Sequence, residues 1–150
     1  MSSIQREQDR RARVPERVMN QQVAGAVIEA AQCKARELGI SMSVAVVDES
    51  GNLVAFVRGD TCSFVSFETA RGKAVAAAGF RRPTHEYVPH FQSHPAFWSS
   101  ISENLKMVPG PGGWPLTRNG VMIGGVGCGG GLAGEDELCA EAGAAASDKP

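Results

Sequence analysis

The chain has 150 residues, of which 43% are apolar and 21% are charged, a composition typical of one folded globular domain rather than of a disordered segment. Lysine and arginine (15) nearly balance aspartate and glutamate (16), and a net charge of −1 gives no general attraction to nucleic acid, so we expect no nucleic-acid partner. No apolar run reaches the roughly 20 residues of a membrane span, so we expect no membrane partner. Residues 1–17 lack a signal-peptide pattern, so we expect a cytoplasmic protein. The 4 cysteines form no C-x-x-C pair, and we expect them to be free thiols.

The N-terminal segment is charged and precedes a helical pattern. Residues 1–15 are predicted to be a flexible N-terminal arm and residues 16–148 a single domain, with an arm that packs on a neighbouring subunit as the alternative. Over residues 16–38, apolar side chains recur at steps of three and four, which predicts an amphipathic helix. Pro15 suits its first turn and Gly39 its C-terminal end.

A pair of strands is predicted next. Residues 42–47 are almost wholly apolar, residues 48–52 are typical of a turn, and residues 53–58 continue as the partner strand. The nearly continuous apolar run of the first strand indicates a central position, with both faces covered.

A second helical pattern occupies residues 63–79. Ser63 is its candidate N-cap. Glu68 and Arg71 are three positions apart, so we expect them to pair on the exposed side of this helix.

The last third is predicted to close the sheet. Met107 and Val108 begin a short strand, residues 109–115 form a rigid glycine-rich loop, and a hairpin over residues 116–126 turns at Asn119-Gly120. A final helix covers residues 135–146 and carries acidic residues in its first turn, where the helix dipole favours them. Because hairpins make antiparallel pairs, the predicted fold class is α+β, with a central antiparallel sheet of about five strands flanked by helices.

The glycine run at residues 125–130 matches G-x-G-x-x-G. A dinucleotide site would need a further βαβ unit and an acidic residue about 20 positions on, for which too little chain remains, so we expect no nucleotide cofactor. We interpret the glycines as positions where a ligand or another chain approaches the backbone, which makes Gly127 and Gly129 candidate cofactor contacts.

Residues 84–106 contain all 3 histidines, and their prolines allow only short helical turns. His85, His90 and His94 are candidate catalytic residues, because histidine is the usual acid/base group near neutral pH and the commonest metal ligand. Two interpretations stay open: ordinary surface histidines, or one histidine at most that ligates iron or moves a proton.

Three cations are candidates for holding a carboxylate. Lys73 lies in an otherwise apolar helical stretch and is either a surface cation or an anchor for a carboxylate or propionate. Arg71 and Arg118 are weaker candidates for the same role.

Trp114, with Gly113 before it, is a candidate pocket wall, or alternatively a hydrophobic plug between loop and sheet. Cys128, inside the glycine run, is a candidate nucleophile or soft ligand, or alternatively a small packing residue. Trp114, Gly113 and Cys128 complete the candidate cofactor contacts.

Four stretches form a recognisable series: VAVVD (44–48) with GNL (51–53), FETARGKA (67–74) with RPT (82–84), PGGWPL (111–116), and residues 119–130 with EDELCA (135–140). In this order they resemble the GlcG/HbpS family, the haem-degrading or PduO C-terminal-like domains, from about residue 18 to residue 146. The resemblance implies a small profilin-like α+β domain that forms homo-oligomers, from dimers to octamers. It also implies haem as the cofactor, since several relatives bind haem and some act as haem-linked redox sensors.

Three functions follow from these observations. The first is haem binding of the GlcG/HbpS type, with one histidine on the iron, with Trp114 as a wall and with Lys73, Arg71 or Arg118 at the propionates. The second is a catabolic enzyme, an isomerase or lyase, that acts on a small organic acid or an aromatic-degradation intermediate. A histidine would serve as acid/base, Lys73 or Arg71 would hold a carboxylate, and backbone N–H groups of residues 127–131 would stabilise an enolate. The third is an oligomeric accessory protein without chemistry of its own.

Overall fold

The computed structural model describes residues 1–13 and 15–148, in which a four-stranded antiparallel sheet lies between helices. In chain order the elements are α1 (Ser3–Ala12), α2 (Gln21–Glu37), β1 (Ser43–Asp48), β2 (Leu53–Val57), α3 (Val65–Phe80), a 3-10 helix (Thr84–Tyr87), α4 (Val88–Ser93), α5 (Pro95–Leu105), β3 (Gly113–Arg118), β4 (Val121–Gly129) and α6 (Ala133–Ala145). The predicted α+β class with a central antiparallel sheet is confirmed.

The strand order is β2-β1-β4-β3, so β1 and β4 are central. Every residue of β1 is buried, as its apolar run predicted. The described residues form four strands rather than about five, because the Met107 N–H donates to the carbonyl of Ser102 at the end of α5 instead of joining the sheet. β3 begins inside the predicted loop, since Gly113 already pairs with Gly127 of β4.

The two faces of the sheet carry side chains of different size. Helices α2 and α6 cover a face on which β1 and β4 place fully buried side chains: Val44, Val46, Val126 and Cys128. Helix α3 covers the opposite face, where β4 presents glycines. A Cβ added at Gly127 would lie 1.9 Å from the carbonyl oxygen of Ala70 on α3. The close approach expected at these glycines is therefore made by a helix of the same chain.

Helix α2 begins later than predicted. The side chain of Asn20 accepts a hydrogen bond from the Val23 N–H at 2.9 Å and so caps the helix at Gln21, five residues after the expected start. Gly39, with φ of +71°, ends the helix as predicted.

Helix α3 begins at Val65 without a side-chain cap, so the Ser63 cap was wrong. The hydroxyl of Ser66 instead donates to the Ser63 carbonyl at 2.6 Å. The expected pair of Glu68 and Arg71 is confirmed, with 2.7 Å between Oε2 and Nη2.

The segment between α3 and β3 is more helical than expected. Pro95 stands at the N-terminus of α5, where its missing N–H removes no helical hydrogen bond, so a helix of 11 residues follows it. The predicted hairpin at Asn119-Gly120 is confirmed, with φ of +51° and +76° at the two positions.

The N-terminal segment forms helix α1, none of whose residues is buried. Glu7 pairs with Arg10 and Arg11 along this helix. Val14, at the end of the predicted arm, lies outside the described residues, and the bounds 1–15 and 16–148 stay predictions. Within the described ranges, no helix combines the length and the apolar character that crossing a membrane requires.

Candidate functional site

Lys73 lies on the buried side of α3 and is 8% exposed. Its Nζ donates to Oδ2 of Asp136 at 2.7 Å and to the carbonyl of Cys128 at 3.0 Å. Asp136 is also buried, and its Oδ1 accepts the N–H of Gly131 at 3.0 Å. Burial raises the pKa of Asp136 above its ordinary value, against the opposing effect of Lys73. This pair connects α3 to the end of β4 and the start of α6. The role of Lys73 as an anchor for an external carboxylate stays a prediction.

The loop before β3 is fixed by Thr84, which is fully buried. The Thr84 hydroxyl donates to the carbonyl of Gly110 and accepts the N–H of Gly113 at 2.8 Å. A Cβ added at Gly113 would lie 2.4 Å from the carbonyl oxygen of Lys73, so the start of β3 lies directly against α3. Because Thr84 precedes His85 in the 3-10 helix, the same contacts place His85 beside β3.

His85 is the histidine that lies beside another candidate residue. Its Nδ1 contacts Oε1 of Glu137 on α6, and its ring centroid is 6.0 Å from that of Trp114. The His85 and Glu137 side chains are 42% and 30% exposed. A carboxylate on one ring nitrogen orients an imidazole and leaves the other nitrogen, here Nε2, for a ligand or a proton. We call His85, Glu137 and Trp114 the His85 cluster.

The other two histidines lie apart from this cluster. His90 is on α4 and its ring lies 6.2 Å from that of Trp98, while Nδ1 of the exposed His94 is 3.2 Å from the Ser93 hydroxyl. Across residues 1–13 and 15–148, no three His, Cys, Asp or Glu side chains come together as a metal site.

Cys128 is fully buried between the sheet and helices α2 and α6. Burial raises the pKa of its thiol well above the ordinary value, which disfavours the thiolate that a nucleophile or a metal ligand needs. Its N–H donates to the carbonyl of Gly112 at 2.8 Å. Gly127 and Gly129 face α3, and a Cβ added at Gly129 would lie 2.4 Å from Oγ1 of Thr69. This geometry favours packing for all three candidates, although their role as cofactor contacts stays a prediction.

The two candidate arginines bind groups of their own chain. The Arg71 guanidinium pairs with Glu68 and lies 5.9 Å from the ring centroid of Phe67. Nε and Nη2 of Arg118 both donate to the carbonyl of Ser147 at 3.2 Å. Arg118 ends β3 whereas Trp114 is near its start, so the two candidates lie at opposite ends of that strand.

The segment after α3 builds an aromatic cluster. The Tyr87 ring lies 4.8 Å from that of Phe80 and 5.7 Å from that of Trp98. Burial raises the pKa of the Tyr87 phenol to about 12, and its hydroxyl has no hydrogen-bond partner among the described residues. A groove of about 480 Å³ adjoins this cluster and is lined in part by Phe80, Arg71 and Lys106.

Sequence reasoning missed Asp136 and Glu137 as site residues. Both were noted only as acids in the first turn of the last helix, yet one binds Lys73 and the other binds His85. Lys73 and Asp136 are 63 positions apart. No spacing rule relates residues this far apart in the sequence. The acidic first turn of the last helix was the feature that could have pointed to Asp136 and Glu137.

Comparisons with known proteins show which family this chain resembles in sequence and in fold. Residues 19–145 match the family model described as "Haem degrading protein HbpS-like". The protein GlcG of Escherichia coli K12 is 34% identical over 112 residues, which cover 73% of this chain and 80% of GlcG. Among solved structures, a double mutant of Streptomyces reticuli HbpS has a TM-score of 0.77 at 31% identity and covers 88% of both chains. The PduOC:heme complex has a TM-score of 0.76 at 30% identity, covering 85% of this chain and 94% of that one.

Proposed function

The chain belongs to the HbpS-like family, and we propose that it binds haem through Nε2 of His85. The observation that carries this proposal is the contact of Glu137 with Nδ1 of a half-exposed imidazole. Metal-ligating histidines almost always have such a partner on their second nitrogen, because it fixes the ring and raises its basicity. The family includes a protein whose structure was solved as a haem complex, which supports the same cofactor here.

The residues around His85 suit one side of a macrocycle. Trp114 offers a flat apolar surface beside the imidazole, and the hydrogen bonds of Thr84 hold both residues in place. The group, when bound, would supply an iron centre for redox or oxygen chemistry. The chain itself would supply the axial nitrogen, its orienting carboxylate and one apolar wall.

The catabolic-enzyme hypothesis has less support from the geometry. Its carboxylate anchor, Lys73, already binds Asp136, and the N–H groups of Cys128 and Gly131 already donate to Gly112 and Asp136. An enolate would therefore have to displace internal hydrogen bonds to reach these donors. The pair of His85 and Glu137 does suit that hypothesis, because it leaves Nε2 of His85 to accept a proton.

Hemin titration followed at the Soret band tests the proposal. We expect saturation at one hemin per chain, loss of the shifted band in His85→Ala, and affinity that is weaker by about 10-fold or more in Glu137→Gln. His94→Ala is the matched control, because it removes an exposed imidazole with no contact to the His85 cluster, and it should bind as the original chain does.

Two results would contradict the proposal. A chain that gives no Soret shift at stoichiometric hemin does not bind haem in this way. A shift of equal size in His85→Ala, with circular dichroism showing a folded variant, means that haem binds without His85. The same titration of His90→Ala then tells whether the other helical histidine is the ligand.

A further inference from the structure

The groove of about 480 Å³ beside the aromatic cluster lies between α3, the end of α5 and the turn that joins β1 to β2. Its walls are partly apolar, with Val75, Phe80 and Leu105 among the lining residues. Sites for small molecules have volumes of this order and combine apolar walls with a few polar groups. Among the described residues that line the groove, none belongs to the His85 cluster, so the two sites are separate.

Gly79 opens the groove on the α3 side. A glycine within a helix is less favourable than an alanine, because it loses more backbone freedom on folding. At Gly72 of the same helix the glycine is needed, since an added Cβ would lie 2.6 Å from a side-chain carbon of Val108. At Gly79 no atom lies within 4 Å of the added Cβ, so packing within the chain does not explain this glycine. The missing side chain leaves room for a ligand.

Two cations line the groove, one on each helix. Arg71, Val75 and Gly79 are spaced by four positions, which places them on one face of α3. Lys106 follows the last residue of α5 and is exposed. It takes part in none of the ion pairs that the described residues form. Its ammonium is therefore free to bind an anion.

Arg71 also keeps donors for an anion. Its Nη2 lies 2.7 Å from Oε2 of Glu68, whose side chain is 65% exposed, so this is a surface ion pair of the kind that contributes little to stability. A guanidinium carries five N–H groups, and the contact with Glu68 leaves Nε and Nη1 of Arg71 available. Planar guanidinium groups of this kind match the geometry of a carboxylate.

We propose that this groove binds a small monocarboxylate with an apolar body. Arg71 and Lys106 would hold the carboxylate, while Val75 and Phe80 would contact the apolar part. Glu49 of the β1–β2 turn also lines the groove, so the two cations exceed the acidic side chain by one charge. That balance favours one carboxylate on the ligand over two. The proposal does not depend on haem binding.

Isothermal titration calorimetry of the full chain with phenylacetate tests the site, with the neutral phenylacetamide as the control compound. We expect one phenylacetate per chain and binding of phenylacetamide that is weaker by about 10-fold or more, because its amide cannot form charge-assisted hydrogen bonds as an anion does. Equal affinity for the two compounds would overturn the proposal. So would the absence of binding up to about 10 mM phenylacetate, where a site with a millimolar Kd would be mostly filled.

Filling the groove should prevent binding. Gly79→Leu puts a side chain into the groove, and we expect phenylacetate binding to be lost. Gly25→Leu is the matched control, because it makes the same substitution on α2, where again no atom lies within 4 Å of the added Cβ, and it should bind as the original chain does. Equal binding by the two folded variants contradicts the proposal.

Lys106→Gly separates charge from folding and does not require Gly79→Leu to fold. Lys106 has φ of +51°, a conformation that glycine adopts more readily, so the variant should be at least as stable in thermal melts. We expect it to bind phenylacetate about 10-fold more weakly. Arg81→Gly is the matched control: Arg81 ends α3 with φ of +60° and is not among the described residues that line the groove. Unchanged affinity in Lys106→Gly, or an equal loss in Arg81→Gly, would refute the assignment.

His85→Ala shows whether the probe occupies the groove or the His85 cluster. Because His85 does not line the groove, this variant should bind phenylacetate with unchanged affinity. Loss of phenylacetate binding in folded His85→Ala would mean that the carboxylate binds at the proposed haem site, and the groove proposal would then be wrong.

Discussion

Replacing Asp136 by alanine tests whether the buried pair with Lys73 holds the site together. The two side chains are 6% and 10% exposed, so the substitution leaves a buried ammonium with the Cys128 carbonyl as its acceptor. Breaking a buried pair by removing one partner costs about 3–5 kcal/mol. The N–H of Gly131 also loses its acceptor. We therefore expect Asp136→Ala to lower the free energy of unfolding by about 4 kcal/mol.

The reverse substitution should cost less. In Lys73→Met the carboxyl of Asp136 keeps the Gly131 N–H and can take up a proton, which burial already favours by raising its pKa. We expect a loss of about 2 kcal/mol. The double variant Lys73→Met/Asp136→Leu buries no charge, and apolar replacements of buried pairs are often neutral or stabilising, so it should recover most of the stability.

Urea unfolding at pH 7, followed by circular dichroism, measures all three variants. Glu68→Ala is the control: it breaks the Arg71 pair on the same helix, where the Glu68 side chain is 65% exposed, and should cost less than about 1 kcal/mol. A double variant whose loss equals the sum of the single losses would refute the reasoning, since the pair would then have no coupling energy. Hemin titration of the folded double variant separately tests Lys73 as a propionate anchor, a role that predicts weakened binding.

Three further predictions concern packing and ionisation. Gly127→Ala places a Cβ 1.9 Å from a backbone oxygen of α3 and should lower the free energy of unfolding by about 3 kcal/mol in urea titrations. Gly134→Ala is the control: no atom lies within 4 Å of its new Cβ, so it should not destabilise α6. Burial raises the pKa of Tyr87 from 10.0 to about 12, so the stability linked to its neutral phenol is present below pH 10 and is lost as the pH rises through 12. Thermal melts of Tyr87→Phe should lack this loss and show about 1 kcal/mol of added stability, because the variant no longer buries an unpaired hydroxyl. A clear loss of stability in Tyr87→Phe would mean that the hydroxyl is partnered. A thiol reagent followed by mass spectrometry should label the exposed Cys33 in the native protein and the buried Cys128 only after unfolding.

Features with local causes were predictable from the sequence. The apolar run of β1 indicated burial on both faces, and all of its residues are buried. Asn119-Gly120 indicated a two-residue hairpin loop, and both residues adopt the left-handed conformation that such a loop needs. Gly39 ends α2 for the same conformational reason.

Features that depend on contacts between distant segments were not predictable in the same way. The glycines of β4 indicated that something approaches the backbone, but their composition could not identify α3 as the approaching element. Ser63 is a residue type that often caps helices, yet its carbonyl accepts a hydrogen bond from the Ser66 hydroxyl, and α3 begins at Val65 without a side-chain cap. Glu137 had no feature that separated it from the other acids around it, and only the fold places it on His85.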